Sequence, residues 1–184
     1  MSSSTAGRLL VATPQIEEGI FARSVILVLG HDDTGAQGVV LNAPTEAAVD
    51  AILPGWGAYA SSPGSVFHGG PVAVDTAIGL VRMPGLATSD AVQRLFGATG
   101  IVDLDSPPAE TLATATGLRV FVGYAGWSPA QLDGEIATGS WYVVDAESSD
   151  AFSDTPEVLW SQVLARQGAP LAWMATYPAD PALN

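Results

Sequence analysis

Residues 120–132, with the sequence VFVGYAGWSPAQL, constrain the fold more than any other part of the chain. An apolar β-branched and aromatic run leads into two glycines, two more aromatic residues and a serine–proline pair. The run is typical of a strand, and proline after a hydroxyl residue is typical of a helix start. We therefore expect a strand that turns sharply at residues 123–126 into a helix. Strand ends of this kind often border binding sites in α/β proteins.

Hydroxyl–proline pairs mark three predicted helix starts, because the hydroxyl can cap the helix while proline fits its first position. These pairs are Ser106-Pro107, Ser128-Pro129 and Thr155-Pro156. The third pair is followed by a stripe of apolar residues at helical spacing and then by Gly168, which favours a helix end. A further helix is predicted over residues 46–53, capped by Thr45, and at most a short helix over residues 91–96.

Ser128 has two interpretations. It occupies the place of a hydrolase nucleophile, between a strand and a helix. However, the residue after such a nucleophile lends its backbone N–H to the oxyanion hole, and Pro129 has none. Gln131 completes a Ser-x-x-Gln capping box. We therefore interpret Ser128 as a helix cap.

Apolar runs predict eight strands, at residues 9–12, 24–29, 38–41, 65–67, 77–81, 100–102, 118–122 and 141–144. The second and third flank Asp32-Asp-Thr-Gly35 and predict a hairpin with a slightly long loop. Strands interleaved with short helices predict the α/β class, with α+β as the alternative because the hairpin argues against a purely parallel sheet. With 184 residues and no linker, the chain is expected to be a single compact domain, residues 1–184.

Composition disfavours several classes of function. Six arginines against 19 acidic residues give a net charge of −13, with no basic run, so direct binding to nucleic acid is disfavoured. The absence of cysteine excludes disulfides and thiolate chemistry. No apolar run is long enough to span a membrane and the N-terminus does not resemble a signal peptide, so a cytoplasmic protein without membrane contact is expected. The low charged fraction, 14%, is compatible with self-association.

His68 lies in the segment Phe67-His-Gly-Gly-Pro71 and is a weak candidate for a general base or a ligand. No nucleophile or second ligand stands at a recognisable spacing from it. A structural histidine in a tight turn, satisfied by a backbone carbonyl, is the favoured interpretation. The two adjacent glycines indicate close backbone approach or positive φ.

His31, Asp32 and Asp33 are metal-ligand types in a row, but adjacent residues rarely converge on one ion. A solvated hairpin loop is the favoured interpretation, and no metal is predicted. The chain has no Walker A sequence and no Gly-x-Gly-x-x-Gly after a strand, so no cofactor is predicted either.

Several motifs, in order along nearly the whole chain, resemble those of the AlgH/YqgE family. They are residues 7–14 (GRLLVATP), 21–26 (FARSVI), His31 with 35–42 (GAQGVVLN), 66–72 (VFHGGPV), 123–127 (GYAGW), Gln131, Leu132, Glu135, Ile136 and Trp141. The resemblance implies a strongly curved mixed sheet that forms a partial barrel surrounded by helices. It also implies a cytoplasmic bacterial protein with no settled activity, although some members are named transcriptional regulators.

Three positions depart from the family pattern. Ala43 stands where relatives usually have arginine, so no anion contact is expected there. Val81 stands where many relatives have histidine, so no catalytic histidine is expected at that position. Ser128 replaces a frequent glycine, which supports a structural role.

These observations favour a non-enzymatic binding or regulatory module whose partner is a small molecule or a protein. The alternative is a small-molecule enzyme, for example a hydrolase, that uses His68. We expect the two glycine-rich turns to lie side by side, the alternative being two unrelated tight turns. The predicted ligand-binding cleft comprises His68, Gly69, Gly70, Gly123, Tyr124, Gly126 and Trp127.

Overall fold

The structure is a computed structural model that describes residues 4–85 and 89–178. The described residues form ten strands. They are β1 (Arg8–Ala12), β2 (Val25–Asp32), β3 (Gly35–Val40), β4 (Pro44–Ala48), β5 (Ser65–His68), β6 (Val72–Arg82), β7 (Val92–Phe96), β8 (Thr99–Val102), β9 (Gly117–Trp127) and β10 (Trp141–Asp145).

The described helices are short. They are α1 (Val49–Ile52), α2 (Pro108–Thr111), α3 (Gln131–Ala137) and α4 (Leu159–Ala165). Single 3₁₀ segments lie at Gly57–Tyr59, Asp150–Phe152, Pro156–Val158 and Leu171–Thr176. None of the helices in the described part of the chain is long and apolar enough to cross a membrane.

The ten strands belong to one sheet in the order β10-β1-β2-β3-β9-β6-β8-β7. Neighbouring strands in this order are antiparallel to each other. Strand β5 lies off this order and pairs in parallel with β9 and antiparallel with β4, so the sheet branches at β9. The sheet curls into a half-barrel. The expected mixed, strongly curved sheet is therefore confirmed. The predicted domain limits, residues 1–184, extend beyond the described residues and stay a prediction.

Strand β2 is central and covered on both faces, as its continuous apolar sequence predicts. Leu27 belongs to a core cluster that also contains Phe67 and Trp160. Ile26 and Val28 belong to a second cluster on the opposite face. Burial on two sides explains why this strand has no alternation of polar and apolar residues.

The predicted β2–β3 hairpin is confirmed, but its loop is shorter than expected. Asp32 pairs with Gly35, which leaves only two residues at the tip. The Asp32 carboxylate accepts a hydrogen bond from the Thr34 N–H at 2.8 Å, an Asx turn that stabilises the tight connection.

Two helix predictions are wrong in whole or part because sheet pairing overrides local preference. Residues 44–48 form β4 against β5, so α1 covers only Val49–Ile52. Thr45 does not cap this helix, since its hydroxyl donates to the Val66 carbonyl at 2.6 Å. Residues 92–96 form β7, paired with β8, instead of a short helix.

Ser128 does not cap α3 with its hydroxyl, contrary to the sequence interpretation. The helix begins at Gln131, after Ala130 in a left-handed conformation with φ 65°. The Gln131 side-chain oxygen accepts hydrogen bonds from both the N–H (3.0 Å) and the hydroxyl (3.1 Å) of Ser128. Only the reciprocal half of the capping box is formed, because the turn at Ala130 shifts the first helical N–H groups away from the serine.

Candidate functional site

The two glycine-rich segments of the predicted cleft lie side by side. Gly69 and Gly70 form the β5–β6 connection, and β9 passes next to it with Val72 paired to Tyr124. The expected sharp turn at residues 123–126 is wrong, because β9 continues through these residues to Trp127. Long-range pairing with β3 and β6 keeps the segment extended despite its glycines.

Close backbone packing explains the buried glycines. A Cβ atom built on Gly123 would lie 2.3 Å from the Gly70 carbonyl oxygen, and Gly123 has φ +72°. A Cβ atom on Gly70 would lie 2.1 Å from the carbonyl carbon of Tyr124. Gly70 and Gly123 therefore allow two backbones to touch. Gly126 differs, because it is exposed and a Cβ atom there would make only ordinary contacts at 3.6 Å.

This packing projects part of β6 into solvent. Val72 pairs with Tyr124 and Ala77 pairs with Val122, so four residues of β6 stand opposite one residue of β9. We call residues 72–76 the β6 bulge; all of them are exposed. Ala73 in the bulge has φ 48°, a strained value for a residue with a Cβ atom. Val74 is 58% exposed.

His68 is held by its backbone and not by its ring. Its N–H donates to the Ala43 carbonyl at 2.8 Å, while the half-buried imidazole makes no hydrogen bond or ion pair within residues 4–85 and 89–178. The backbone carbonyl expected to satisfy the ring is therefore not found there. His68 therefore forms no recognisable acid–base pair with another side chain in this part of the chain.

Trp127 and Trp141 share a carboxylate that the sequence patterns did not single out as functional. Their indole N–H groups donate to the same Glu135 oxygen, at 3.3 Å and 3.0 Å. The two rings meet edge to face with centroids 6.2 Å apart. Trp127 is almost buried but also borders a groove of about 300 Å³ beside the β2–β3 hairpin, together with Gly35 and Gln37.

Asp32 and Asp33 are exposed, as a solvated loop predicts, but the His31 side chain is only 6% exposed. Its Nδ1 accepts a hydrogen bond from the Thr5 N–H at 3.1 Å, and the Thr5 hydroxyl lies 2.9 Å from the same atom. This arrangement places the ring proton of the neutral imidazole on Nε2, which lies 3.7 Å from Asp133. The ring thus joins residue 5 to β2. Within the described ranges, no three His, Asp or Glu side chains are placed to share a metal ion.

Arg119 is a buried cation that no local sequence pattern revealed. Its guanidinium donates to the carbonyl oxygens of Ser153 (2.8 Å), Ser61 (3.2 Å), Ala151 (3.3 Å) and Ser62. It also lies over the Phe67 ring, 4.2 Å from the centroid. Burial lowers the pKa of Arg119 to about 10, and Asp154 opposes the shift. The side chain therefore joins the 61–62 and 151–153 loops as a cation at neutral pH.

Three other arginines also have partners within the protein. Arg166 binds the buried Asp150 carboxylate in a two-pronged ion pair, at 2.6 Å and 2.7 Å. Arg8 pairs with Asp145 at 3.2 Å. Arg23 lies over Trp160 and donates to the Tyr177 carbonyl. These partners limit how many cations could contact phosphate groups.

Comparison with known proteins agrees with this architecture. The sequence profile described as AlgH-like matches residues 9–172. A UPF0301 protein of Streptomyces avermitilis is 52% identical over 187 residues, covering 99% of this chain and 96% of its own length. A second from Thermobifida fusca is 45% identical, covering 98% and 96%.

Two solved structures share the fold. A protein of Corynebacterium diphtheriae has a TM-score of 0.86 at 33% identity and covers 96% of this chain and 94% of its own. The solution structure of the AlgH protein from Pseudomonas aeruginosa has a TM-score of 0.69 at 25% identity, with 97% of both chains covered. The curved sheet, the order of its motifs and these similarities together show that the chain belongs to the AlgH-like family, whose biochemical function is uncharacterised.

Proposed function

We propose that the protein is a non-enzymatic binding module and that the β6 bulge is its contact surface for another protein. The observation that carries the proposal is the exposed apolar side chain of Val74, on backbone that β9 leaves unpaired. Apolar side chains and unpaired strand backbone exposed together are features of protein-binding surfaces.

The bulge is fixed at both ends, which supports a binding role. Val72 and Ala77 anchor it to β9, and the packed backbones of Gly70 and Gly123 support it from below. A surface held in place before binding loses little conformational entropy on association. The strained backbone of Ala73 agrees with this interpretation, because such strain concentrates at functional sites.

The predicted cleft thus divides into two parts in this proposal. Tyr124 and Gly126 belong to the contact surface, on the strand next to the bulge, whereas Trp127 is buried in the second core cluster. Gly69, Gly70 and Gly123 are buried and support the contact surface. The net charge of −13 disfavours nucleic acid and strongly acidic partners, so the proposed partner has a neutral or basic surface. We place the protein in the cytoplasm.

An enzyme that uses His68 is the weaker alternative. The imidazole is half-buried at the end of β5, but no carboxylate of the described residues lies within ion-pair distance of it. A general base usually needs a group that orients it.

A site-specific photo-crosslinker tests the contact surface. We would place it at residue 74 and, as the control, at Val158, an exposed valine of a 3₁₀ segment outside the sheet, 43% exposed. The expected result is one adduct of defined mass from residue 74 in the protein's own cells, competed by unlabelled protein. Equal labelling at both positions, or no adduct at residue 74, would contradict the proposal.

A second experiment tests whether the Val74 side chain itself contacts the partner or only lies near it. With the crosslinker at Thr76, Val74→Asp should abolish the adduct, while Val158→Asp should leave it unchanged.

To test the enzymatic alternative, a panel of esters and phosphoesters would be assayed with the wild type and with His68→Asn. Turnover that the variant loses at unchanged melting temperature would overturn the non-enzymatic proposal.

A further inference from the structure

A cavity of about 140 Å³ lies where the two ends of the curled sheet approach each other. Gly7, just before β1, and Ala146, just after β10, line one side. Phe96, at the end of β7, lines the other, and a Cβ atom built on Gly7 would lie 3.3 Å from its ring. The cavity is therefore at the seam of the half-barrel, and the mouths of barrels are common places for ligand sites.

The cavity has an apolar interior. Leu27, Leu41 and Ala151 line it and are buried in the larger core cluster. An apolar cavity of about 150 Å³ in another protein binds benzene, so this space admits a body of the size of one aromatic ring.

Polar groups stand beside this interior. Thr99 lines the cavity and is only 5% exposed, yet its hydroxyl makes no hydrogen bond to any residue of the described ranges. Its oxygen is not sealed off by protein atoms, so it is accessible from the cavity and available to a bound molecule. Glu147 and Asp150 also line the cavity. Arg166 engages Asp150 through both carboxylate oxygens and lies 3.4 Å from the largely exposed Glu147 carboxylate.

We propose that this cavity binds a small molecule with a ring-sized apolar body and one hydroxyl or amino group. The apolar body fills the space over Leu27 and Leu41. The polar group hydrogen-bonds with Thr99 and donates to Glu147. Anionic analogues are disfavoured, because the two carboxylates of Glu147 and Asp150 outnumber the single cation of Arg166 at this site and the protein has a net charge of −13. The site shares no residue with the β6 bulge and does not depend on the proposed protein partner.

Titrations followed by amide NMR test this proposal with three probes of the same shape: benzyl alcohol, benzylamine and benzoate. The first two should give saturable shifts centred on Gly97, Thr99 and Ala151, and benzoate should bind at least about tenfold more weakly. Absence of saturable shifts with the alcohol and the amine, or equal affinity for benzoate, would overturn the proposal.

Variants of Thr99 test its role. Thr99→Val keeps the shape of the side chain and should weaken binding of benzyl alcohol about fivefold, the effect of one neutral hydrogen bond, whereas Thr99→Ser should retain it. Unchanged affinity in Thr99→Val would contradict the hydrogen bond. Val74→Asp, in the β6 bulge, should leave the affinity unchanged, which distinguishes failure of this site from failure of the proposed protein contact.

Discussion

A single arginine joins parts of the chain that are distant in sequence. Arg119 donates to the carbonyl groups of Ser61, Ser62, Ala151 and Ser153 and so ties the 61–62 and 151–153 loops together. Burial of a cation is unfavourable, as the lowered pKa of Arg119 shows, but its hydrogen bonds and the Phe67 ring offset part of that cost.

Removal of this cation should be strongly destabilising. Arg119→Met should lower the free energy of unfolding by about 3 kcal/mol, because the hydrogen bonds from one guanidinium to four carbonyl groups of two loops are lost. Arg8→Met is the control, since Arg8 forms an exposed ion pair with Asp145 and should cost less than about 1 kcal/mol. Urea unfolding would measure both changes. Similar values for the two variants would show that Arg119 does not stabilise the loops.

Asp32 gives the hairpin a pH dependence whose sign follows from its hydrogen bonds. The side-chain and backbone hydrogen bonds from Thr34 hold the pKa of Asp32 below its ordinary value of 3.8. A carboxylate with a lowered pKa in the folded state stabilises it above the unfolded value, and the contribution is lost as pH falls through the folded value.

We therefore expect an NMR titration of the carboxyl groups to give Asp32 a midpoint below pH 3.8 in the folded protein. Thr34→Val removes the hydroxyl donor and should move the midpoint up toward 3.8. An unchanged midpoint in this variant would assign the shift to a different cause.

At the scale of elements, the contact of the β5–β6 connection with β9 determines the shape of the candidate site. Because Gly70 and Gly123 lack side chains, the two backbones touch, and β6 leaves the sheet as the bulge before it pairs again at Ala77. Glu135 of α3 then fixes Trp127 at the end of β9. The site is therefore built by packing between elements and not by one loop.

Two glycines of β9 should respond differently to the same substitution. Gly123→Ala should lower the free energy of unfolding by more than about 2 kcal/mol or prevent folding, because the new methyl group would meet the Gly70 carbonyl and φ is positive. Gly126→Ala should change it by less than about 1 kcal/mol, since its Cβ atom has room. Thermal and urea unfolding would measure both. Tolerance of alanine at residue 123 would contradict the packing argument.

The whole molecule is an acidic half-barrel. Its sheet branches at β9, and its two ends approach each other at the seam cavity near Gly7 and Phe96. Arginines are engaged with carbonyls, carboxylates and rings, as Arg119, Arg166 and Arg23 illustrate. The field around the molecule is consequently negative, with a net charge of −13.

Direct binding to duplex DNA should be absent for this reason. Fluorescence anisotropy with labelled duplex DNA at low salt should show no saturable binding up to tens of micromolar protein. An Arg8→Ala variant, which removes an exposed cation, serves as the control for residual cation contacts and should behave identically. Tight binding that weakens steeply as salt is added would contradict the prediction, because that is the signature of counterion release.

Only some features of the candidate site could be predicted from the sequence. The adjacency of the segments at Gly70 and Gly123 was expected from glycines at two strand ends. The β6 bulge was not, since it depends on which residue of β9 stands opposite Val72. Arg119, Glu135 and the burial of His31 were also missed as site features, because their partners are far away in the sequence and leave no local pattern.

The apolar strands, the β2–β3 hairpin and the helix after Thr155 could be predicted from the sequence, because the spacing of apolar residues and the turn residues are local properties. In contrast, local sequence did not predict that residues 92–96 form a strand or that β9 continues through residues 123–126. Both outcomes depend on pairing with strands distant in sequence, whose hydrogen bonds outweigh the weak local preferences of these segments.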